Sequence, residues 1–235
     1  LGFSDDGYEL PALEILDVIV PGPPAAGFLF PGMGLGGIRD RLAARRDSLA
    51  PRLKETVRLV QSTPGPWIVW TGLIAESEAI AAALGDEAVE IAGSDTEAVK
   101  QERLARFLAG DVRVLVTKPR IAGFGLNLQH CAQMAFCGLG DSYEAYYQAI
   151  RRCWRFGQTR PVAAYLVVSD AETEIVANVR RKEQTAAETA TALIESMRAH
   201  EREEVGVTTR QRETIERDVA TGDAWTLHLG DAVEV

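Results

Sequence analysis

Residues 112–131 read VRVLVTKPRIAGFGLNLQHC. Val112, Val114, Leu115 and Val116 form a near-continuous apolar run, the pattern of a strand covered on both faces, as in a parallel sheet. Pro119, Gly123 and Gly125 then break regular structure. Gly123 and Gly125 permit either close approach of backbone to a ligand or simply a tight turn, and the G-x-G spacing alone does not choose between them. Lys118 and Arg120 place positive charge at the strand's C-terminal end, where open parallel sheets bind ligands. This is not a Walker phosphate loop: the chain has no G-x-x-x-x-G-K-[ST] and no apparent acidic Walker B partner.

The same rhythm extends to both sides. WIVWT (67–71) is a compact β-favouring run after a Pro-Gly-Pro turn, Glu76 to Leu84 an Ala-rich helix, and Ala88 to Ile91 a short strand. Asp95 to Leu108 predicts a helix with Val99, Leu104, Phe107 and Leu108 available for burial. QMAFCG (133–138) predicts a strand, Tyr143 to Arg155 a helix, and VAAYLVV (162–168) a closing strand. Alternation of this kind implies an α/β fold: a mostly parallel central sheet flanked by helices. Upstream, Leu13 to Val18 alternates as an edge strand would, and residues 21–37 are too rich in Pro and Gly for regular structure. Residues 38–61 read as helical with a break or restart at Pro51. Downstream, Glu172 to about Glu204 reads as a long helix with Ile175, Val179, Leu193, Ile194 and Met197 as apolar positions. The expected organisation is therefore an N-terminal strand and connector (1–37), a core domain (38–171), a C-terminal helix (172–204), and a segment (205–235) that is either a linker alone or a linker and the start of a further domain.

The richest chemistry lies in QAIRRCWRFGQTRPV, residues 148–162. On a helix, Gln148, Arg152 and Arg155 are spaced to project from one face. No Asp or Glu occurs from Ala145 to Ser169. Guanidinium groups without local carboxylates suit a polyphosphate, because each planar fork donates paired hydrogen bonds to phosphate oxygens. A merely solvated basic face has the same composition. The Gly-Gln-Thr turn and the strand that follow, with Trp154 and Phe156 expected to anchor the helix by burial, favour fixed rather than waving arginines.

Composition bounds these readings. The chain has 235 residues, 46% hydrophobic and 25% charged, which is ordinary for a globular protein. Its 25 Lys and Arg against 34 Asp and Glu give a net charge of −9, so any nucleic-acid contact must come from a local basic surface. Cys131, Cys137 and Cys153 show no C-x-x-C pairing and read as reduced intracellular thiols. His130, His200 and His228 lack metal-ligand spacing, and no metal site is expected. No apolar run is long enough to span a bilayer. The chain opens on Leu1 rather than Met, so we expect an excised or processed segment.

Taken in order, WIVWT, then G-S-D-x-x-x-x-x-Q-E-R-L-x-x-F-L from Gly93, then VLVTKPRIAGFGLNL, then QAIRRCWRFGQTRPV resemble the C-terminal RecA-like lobe of superfamily-two helicases. The closest likeness is to the Swi/Snf-like (phage and bacterial DEAD/DEAH-type) translocase branch. It covers roughly residues 67–182, and ETEIVANVRRKE is similar to the T-x-E-E-x-I helix that follows this lobe. The resemblance implies a half-site of an ATP hydrolase. Arg155 is its arginine finger, Arg152 a companion phosphate contact, Gln148 a glutamine beside the nucleotide, and Gly123, Gly125 and Asn127 a stretch between nucleotide and nucleic-acid track. It implies nucleic-acid contacts at Thr71, Gly93 and Ser94. Where the family has a Ser-Thr pair this chain has Lys118-Pro119, so Lys118 or Arg120 would supply the phosphate contact instead. The Asp that often precedes the first arginine is here Arg151. The implied cofactor is Mg-ATP, held mainly by an N-terminal lobe outside this chain. The implied partners are that lobe and DNA, double-stranded by preference, in the cytoplasm of a bacterial or phage-infected cell. The alternative is a non-catalytic RecA-like binding module. WTLHLGDAVEV at the end is either a terminal strand or the opening of an amino-methyltransferase domain.

Overall fold

The computed structural model describes residues 10–22, 43, 45–121, 127–140, 142–213, 219–222 and 225–228. The chain divides into two compact units, Leu1–Lys182 and Glu183–Val235.

The first unit is built on a six-stranded sheet. Its strands are β1 (Leu13–Val20), β2 (Trp67–Thr71), β3 (Ala88–Ile91), β4 (Val114–Thr117), β5 (Gln133–Cys137) and β6 (Val162–Ser169), in the spatial order β1-β6-β5-β2-β4-β3. Every pairing in it is parallel. β1 is an edge strand, as its alternation predicts, and runs two residues further, to Val20.

The apolar runs explain why both faces are covered. Along β2, Trp67 and Val69 join one buried cluster with Val114, Val116, Ala135 and Cys137. Ile68 and Trp70 join another with Leu115, Met134 and Phe136. The period of two thus splits each strand between two cores. The first cluster is closed by Leu59 and Val60 of α1 (Leu49–Ser62) and by Ile80 and Leu84 of α2 (Ile74–Leu84). The second is closed by Phe107 of α3 (Glu97–Ala109), by Tyr146, Ala149 and Ile150 of α4 (Tyr143–Ile150), and by Ile175, Val176 and Val179 of α5 (Thr173–Glu213). Trp67 and Trp70 are 0% and 1% exposed. Burial of 150–250 Å² of ring surface contributes roughly 4–6 kcal/mol apiece before conformational entropy is subtracted.

Three expectations are corrected. The helix does not break at Pro51: Pro51 lies in the first turn of α1, where its missing N–H has no intrahelical partner to lose, and the turn falls at Ser48. The helix predicted to reach Arg155 ends at Ile150. Beyond Ile150 the backbone tightens to three-residue steps, Arg152 N–H to Ala149 O (3.3 Å) and Cys153 N–H to Ile150 O (3.1 Å), and Arg155 N–H then bonds Cys153 O (3.2 Å), which closes a turn in place of a further helical turn. Finally, α5 continues past Glu204 to Glu213. Of its apolar positions, Ile175 and Val179 are buried, and Leu193, Ile194 and Met197 are 60%, 50% and 55% exposed.

The second unit holds the later part of α5 and an antiparallel hairpin, β7 (Val219–Gly222) with β8 (Trp225–His228). No helix among the described residues is long and apolar enough to cross a membrane.

Candidate functional site

The candidate residues fall at two ends of α4. At its N-terminal end, the C-termini of β2, β4 and β5 come level: Trp70 pairs with Thr117, and Thr71 with Cys137. Their exits, with Ser142, Ala145 and Tyr146 of the α4 N-terminus, enclose a cleft of about 550 Å³. Thr71, Lys118 and Arg120 line it, as do Arg45 and Trp70. Lys118 to Ile121 forms a turn closed by Ile121 N–H to Lys118 O (3.0 Å), with Pro119 at the position where its fixed φ fits. That turn leaves Arg120 exposed and Lys118 half-buried. The Thr71 hydroxyl is committed inward, donating to Thr117 O (3.4 Å), and the residue is 2% exposed. Gly93 and Ser94 are exposed in the turn after β3, which Asp95 ties down by accepting from Ala92 N–H (2.7 Å) and Arg103 (2.8 Å).

A buried ionic network fixes this strand-end edge. Glu76 is fully buried and accepts five hydrogen bonds: Gly72 N–H (2.8 Å), Leu73 N–H (2.9 Å), Arg45 Nε (2.9 Å), Arg45 Nη2 (3.0 Å) and Arg52 Nη1 (2.8 Å). Burial pushes its carboxyl up, but attraction and hydrogen bonding from Arg45, then Arg52 and Leu73 N–H, outweigh it and hold the group below its ordinary value. Arg52, also fully buried, reaches Glu172 Oε2 through Nε (3.4 Å). Burial opposes its charge; Cys137, Glu172 and Glu76 more than offset that and raise its value. Burial also pushes the Cys137 thiol up to about 11, so at neutral pH the countercharges are the two glutamates. Glu172 in turn accepts from Ser169 N–H (3.0 Å), Ser169 Oγ (2.8 Å) and Ser48 Oγ (3.3 Å). Gly72 and Gly138 leave room for Arg45: a Cβ on either would lie 2.5 Å from a guanidinium nitrogen, Arg45 Nη2 for Gly72 and Arg52 Nη1 for Gly138.

None of this network was singled out from the sequence. Two signals were present. Ser169-x-x-Glu172 is a capping-box pattern. Arg52 shares a helical stripe with Thr56, Leu59 and Val60, and a cation in an apolar stripe requires a buried carboxylate.

At the other end of α4 the chain turns through Arg151–Gly157. Gln148 is exposed on the helix, but Arg152 and Arg155 sit in the turn, so helical spacing is not what aligns them. They are nevertheless neighbours: burial, then repulsion from Arg155, lowers the Arg152 value. The Arg155 side chain has no hydrogen bond or ion pair among the described residues. Arg151 turns elsewhere, its guanidinium 5.3 Å from the Trp154 ring centroid and 6.0 Å from that of Tyr147. Of the two expected anchors, Trp154 holds, its indole N–H donating to Pro11 O (2.7 Å), but Phe156 is 59% exposed and anchors nothing by burial.

Two glutamines pin the turn. Gln158 Nε2 donates to the carbonyls of Gln129 (2.8 Å), Cys131 (3.1 Å) and Cys153 (3.4 Å), while its Oε1 accepts from Thr159 and Arg160 N–H (3.1 Å each). Gln129 donates to the Phe156 carbonyl. Asn127 accepts from Gln129 N–H (3.2 Å), and the next residue, Leu128, donates its N–H to Arg152 O (3.1 Å). Gly123 and Gly125 lie outside the described residues. Cys131, Cys137 and Cys153 are buried free thiols. No group of three or more His, Cys, Asp or Glu is placed to hold a metal among the described residues.

Residues 52–157 match the family described as the helicase conserved C-terminal domain. The fold is RecA-like and resembles the C-terminal part of the Fun30 ATPase domain, with a TM-score of 0.50 and 16% identity over 55% of this chain and 45% of that one. The chain therefore spans less than half of the Fun30 structure. The C-terminal domain of the DEAD-box protein Dbp5 aligns with a TM-score of 0.48 and 17% identity over 57% of this chain and 78% of that one. No curated protein matches.

Proposed function

We propose that this chain, which carries a helicase C-terminal domain over residues 52–157, is the second motor lobe of an ATP-dependent DNA translocase of Swi/Snf-like, bacterial or phage type. The observation that carries the reading is the arginine turn: Arg152 and Arg155 in one loop pinned by Gln158 and Gln129, in a stretch with no Asp or Glu from Ala145 to Ser169. Guanidiniums fixed in a stretch of chain without carboxylates suit the terminal phosphates of a nucleotide, to which each fork donates paired hydrogen bonds. Arg155 would neutralise charge on the transferring phosphoryl group, with Arg152 and Gln148 orienting it; Asn127 and, on the sequence resemblance alone, Gly123 and Gly125 would belong to the same site. Mg-ATP, when bound, supplies the phosphoryl group. The phosphate loop would come from an N-terminal RecA-like lobe, since this chain contains none. The strand-end edge, with Lys118, Arg120, Gly93, Ser94 and the Thr71 exit, would contact double-stranded DNA. Closure of the two lobes would couple turnover to stepping.

The test is ATP turnover. The isolated chain is expected to show none. Joined to a lobe carrying the phosphate loop, DNA-stimulated turnover should fall about 10³-fold or more in Arg155→Ala. Turnover unchanged by that substitution would remove the arginine-finger role and favour a non-catalytic RecA-like platform.

A further inference from the structure

The arginine turn is held from two sides. On one side Gln158 joins it to the carbonyls of Gln129 and Cys131. On the other, the Trp154 indole N–H donates to Pro11 O (2.7 Å), 143 positions away in the chain. The next carbonyl, Ala12 O, accepts from Val162 N–H (2.9 Å), and from there β1 and β6 run in register, Leu13 beside Val162. Two consecutive carbonyls just ahead of β1 therefore fasten the chain on either side of residues 155–161, the segment that begins with Arg155. Pro11 and Ala12 precede residue 52, where the family match starts, so this second anchor lies outside the matched domain.

The indole is well placed to act as an anchor. Its ring packs against the core cluster that includes Ile150 and Cys153, and the Arg151 guanidinium lies 5.3 Å from its centroid, within cation–π reach. An indole has a single donor, and a backbone carbonyl next to a paired strand takes it. The residue that follows has its backbone committed on both sides: Arg155 N–H donates to Cys153 O (3.2 Å), and Arg155 O accepts from Gln158 N–H (3.0 Å). Because α4 ends at Ile150, no helical ladder fixes the direction in which Arg155 leaves the chain, and these tertiary bonds do so instead.

We propose that Trp154 is a positioning residue for Arg155: its tether to Pro11, not helical rigidity, aims that arginine at the phosphates of a nucleotide. The inference rests on the motor-lobe reading given above and adds to it an anchor outside the matched domain.

Trp154→Phe keeps a ring and removes the N–H. In the full chain, amide exchange followed by NMR should show the Arg155 and Gln158 N–H groups exchanging at least about tenfold faster in the variant, with the amides of β2 unchanged. In the protein joined to a lobe carrying the phosphate loop, the substitution should lower kcat about tenfold or more and leave KM for ATP within about twofold, because a misplacement of ~1 Å can cost about 100-fold in rate. Added to Arg155→Ala it should lower kcat no further, since a residue that acts through Arg155 then has nothing to position. Equal exchange in both proteins, or acceleration that extends to β2, would overturn the tether. The same loss of kcat with and without Arg155 would make Trp154 merely structural and overturn the proposal, while the arginine-finger reading stands. Undiminished turnover in Arg155→Ala would overturn that reading and the positioning role with it.

Discussion

Replacing Glu76 by Gln changes one atom and should cost this chain a large part of its stability. Oε1 accepts from Arg45 Nε and Arg52 Nη1; Oε2 accepts from Arg45 Nη2 and the N–H groups of Gly72 and Leu73. Whichever oxygen becomes the amide nitrogen, at least two donors then face a donor. The countercharge to fully buried Arg52 is also halved, leaving only Glu172 at 3.4 Å. Breaking a buried pair from one side costs about 3–5 kcal/mol, against a total of roughly 5–15 kcal/mol for an ordinary domain. Urea unfolding followed by tryptophan fluorescence would show it. With a slope of about 2 kcal/mol per molar, the midpoint should fall by roughly 1.5–2.5 M. The effect has a pH signature. The folded carboxyl of Glu76 lies below its ordinary 4.5, so its contribution is complete above that value and is lost as pH falls through the depressed one. The gap between wild type and variant must therefore narrow as the solution is acidified below pH 4.5. A loss under about 1 kcal/mol at neutral pH, or a gap that acid leaves unchanged, would refute the claim that this network holds the strand-end edge.

Gly138→Ala and Gly110→Ala form a matched pair, with φ +79° and +84°. The first Cβ would lie 2.5 Å from Arg52 Nη1 and the second meets nothing within 4 Å, so Gly110→Ala should cost about 1 kcal/mol and Gly138→Ala at least twice that in urea midpoints. Equal losses would contradict the tight passage of the two guanidiniums. Gln158→Ala leaves three carbonyls without their donor and should destabilise by about 1–3 kcal/mol in the same assay. A silent substitution would mean the arginine turn is held by something else. Arg155→Ala should move stability by no more than about 0.5 kcal/mol in thermal unfolding, because no bond is broken and a repulsion is relieved. A loss above about 2 kcal/mol would make Arg155 structural and withdraw support from its nucleotide role.

The amino-acid order by itself determined the strands and the class of fold. Runs such as Val114–Thr117 and Trp67–Thr71 are apolar on both alternating sets of positions, and only a sheet buried on two faces accommodates that. It also exposed the absence of a Walker phosphate loop and the carboxylate-free stretch around Arg152 and Arg155, because both are local patterns. What it left unsettled depends on groups distant in the chain. Past Ile150 the chain turns into a loop pinned by Leu128 N–H on Arg152 O and the Gln158 amide on Cys153 O, long-range contacts that no helical propensity encodes. The inward Trp154 and outward Phe156 are equally apolar in sequence, and tertiary packing alone separates them. The four-residue ionic network joins positions 45, 52, 76 and 172, and the cleft joins the ends of three strands with a helix start. Such sites arise only when parallel strands bring their C-terminal ends level, because long-range register, not local spacing, decides which charges meet.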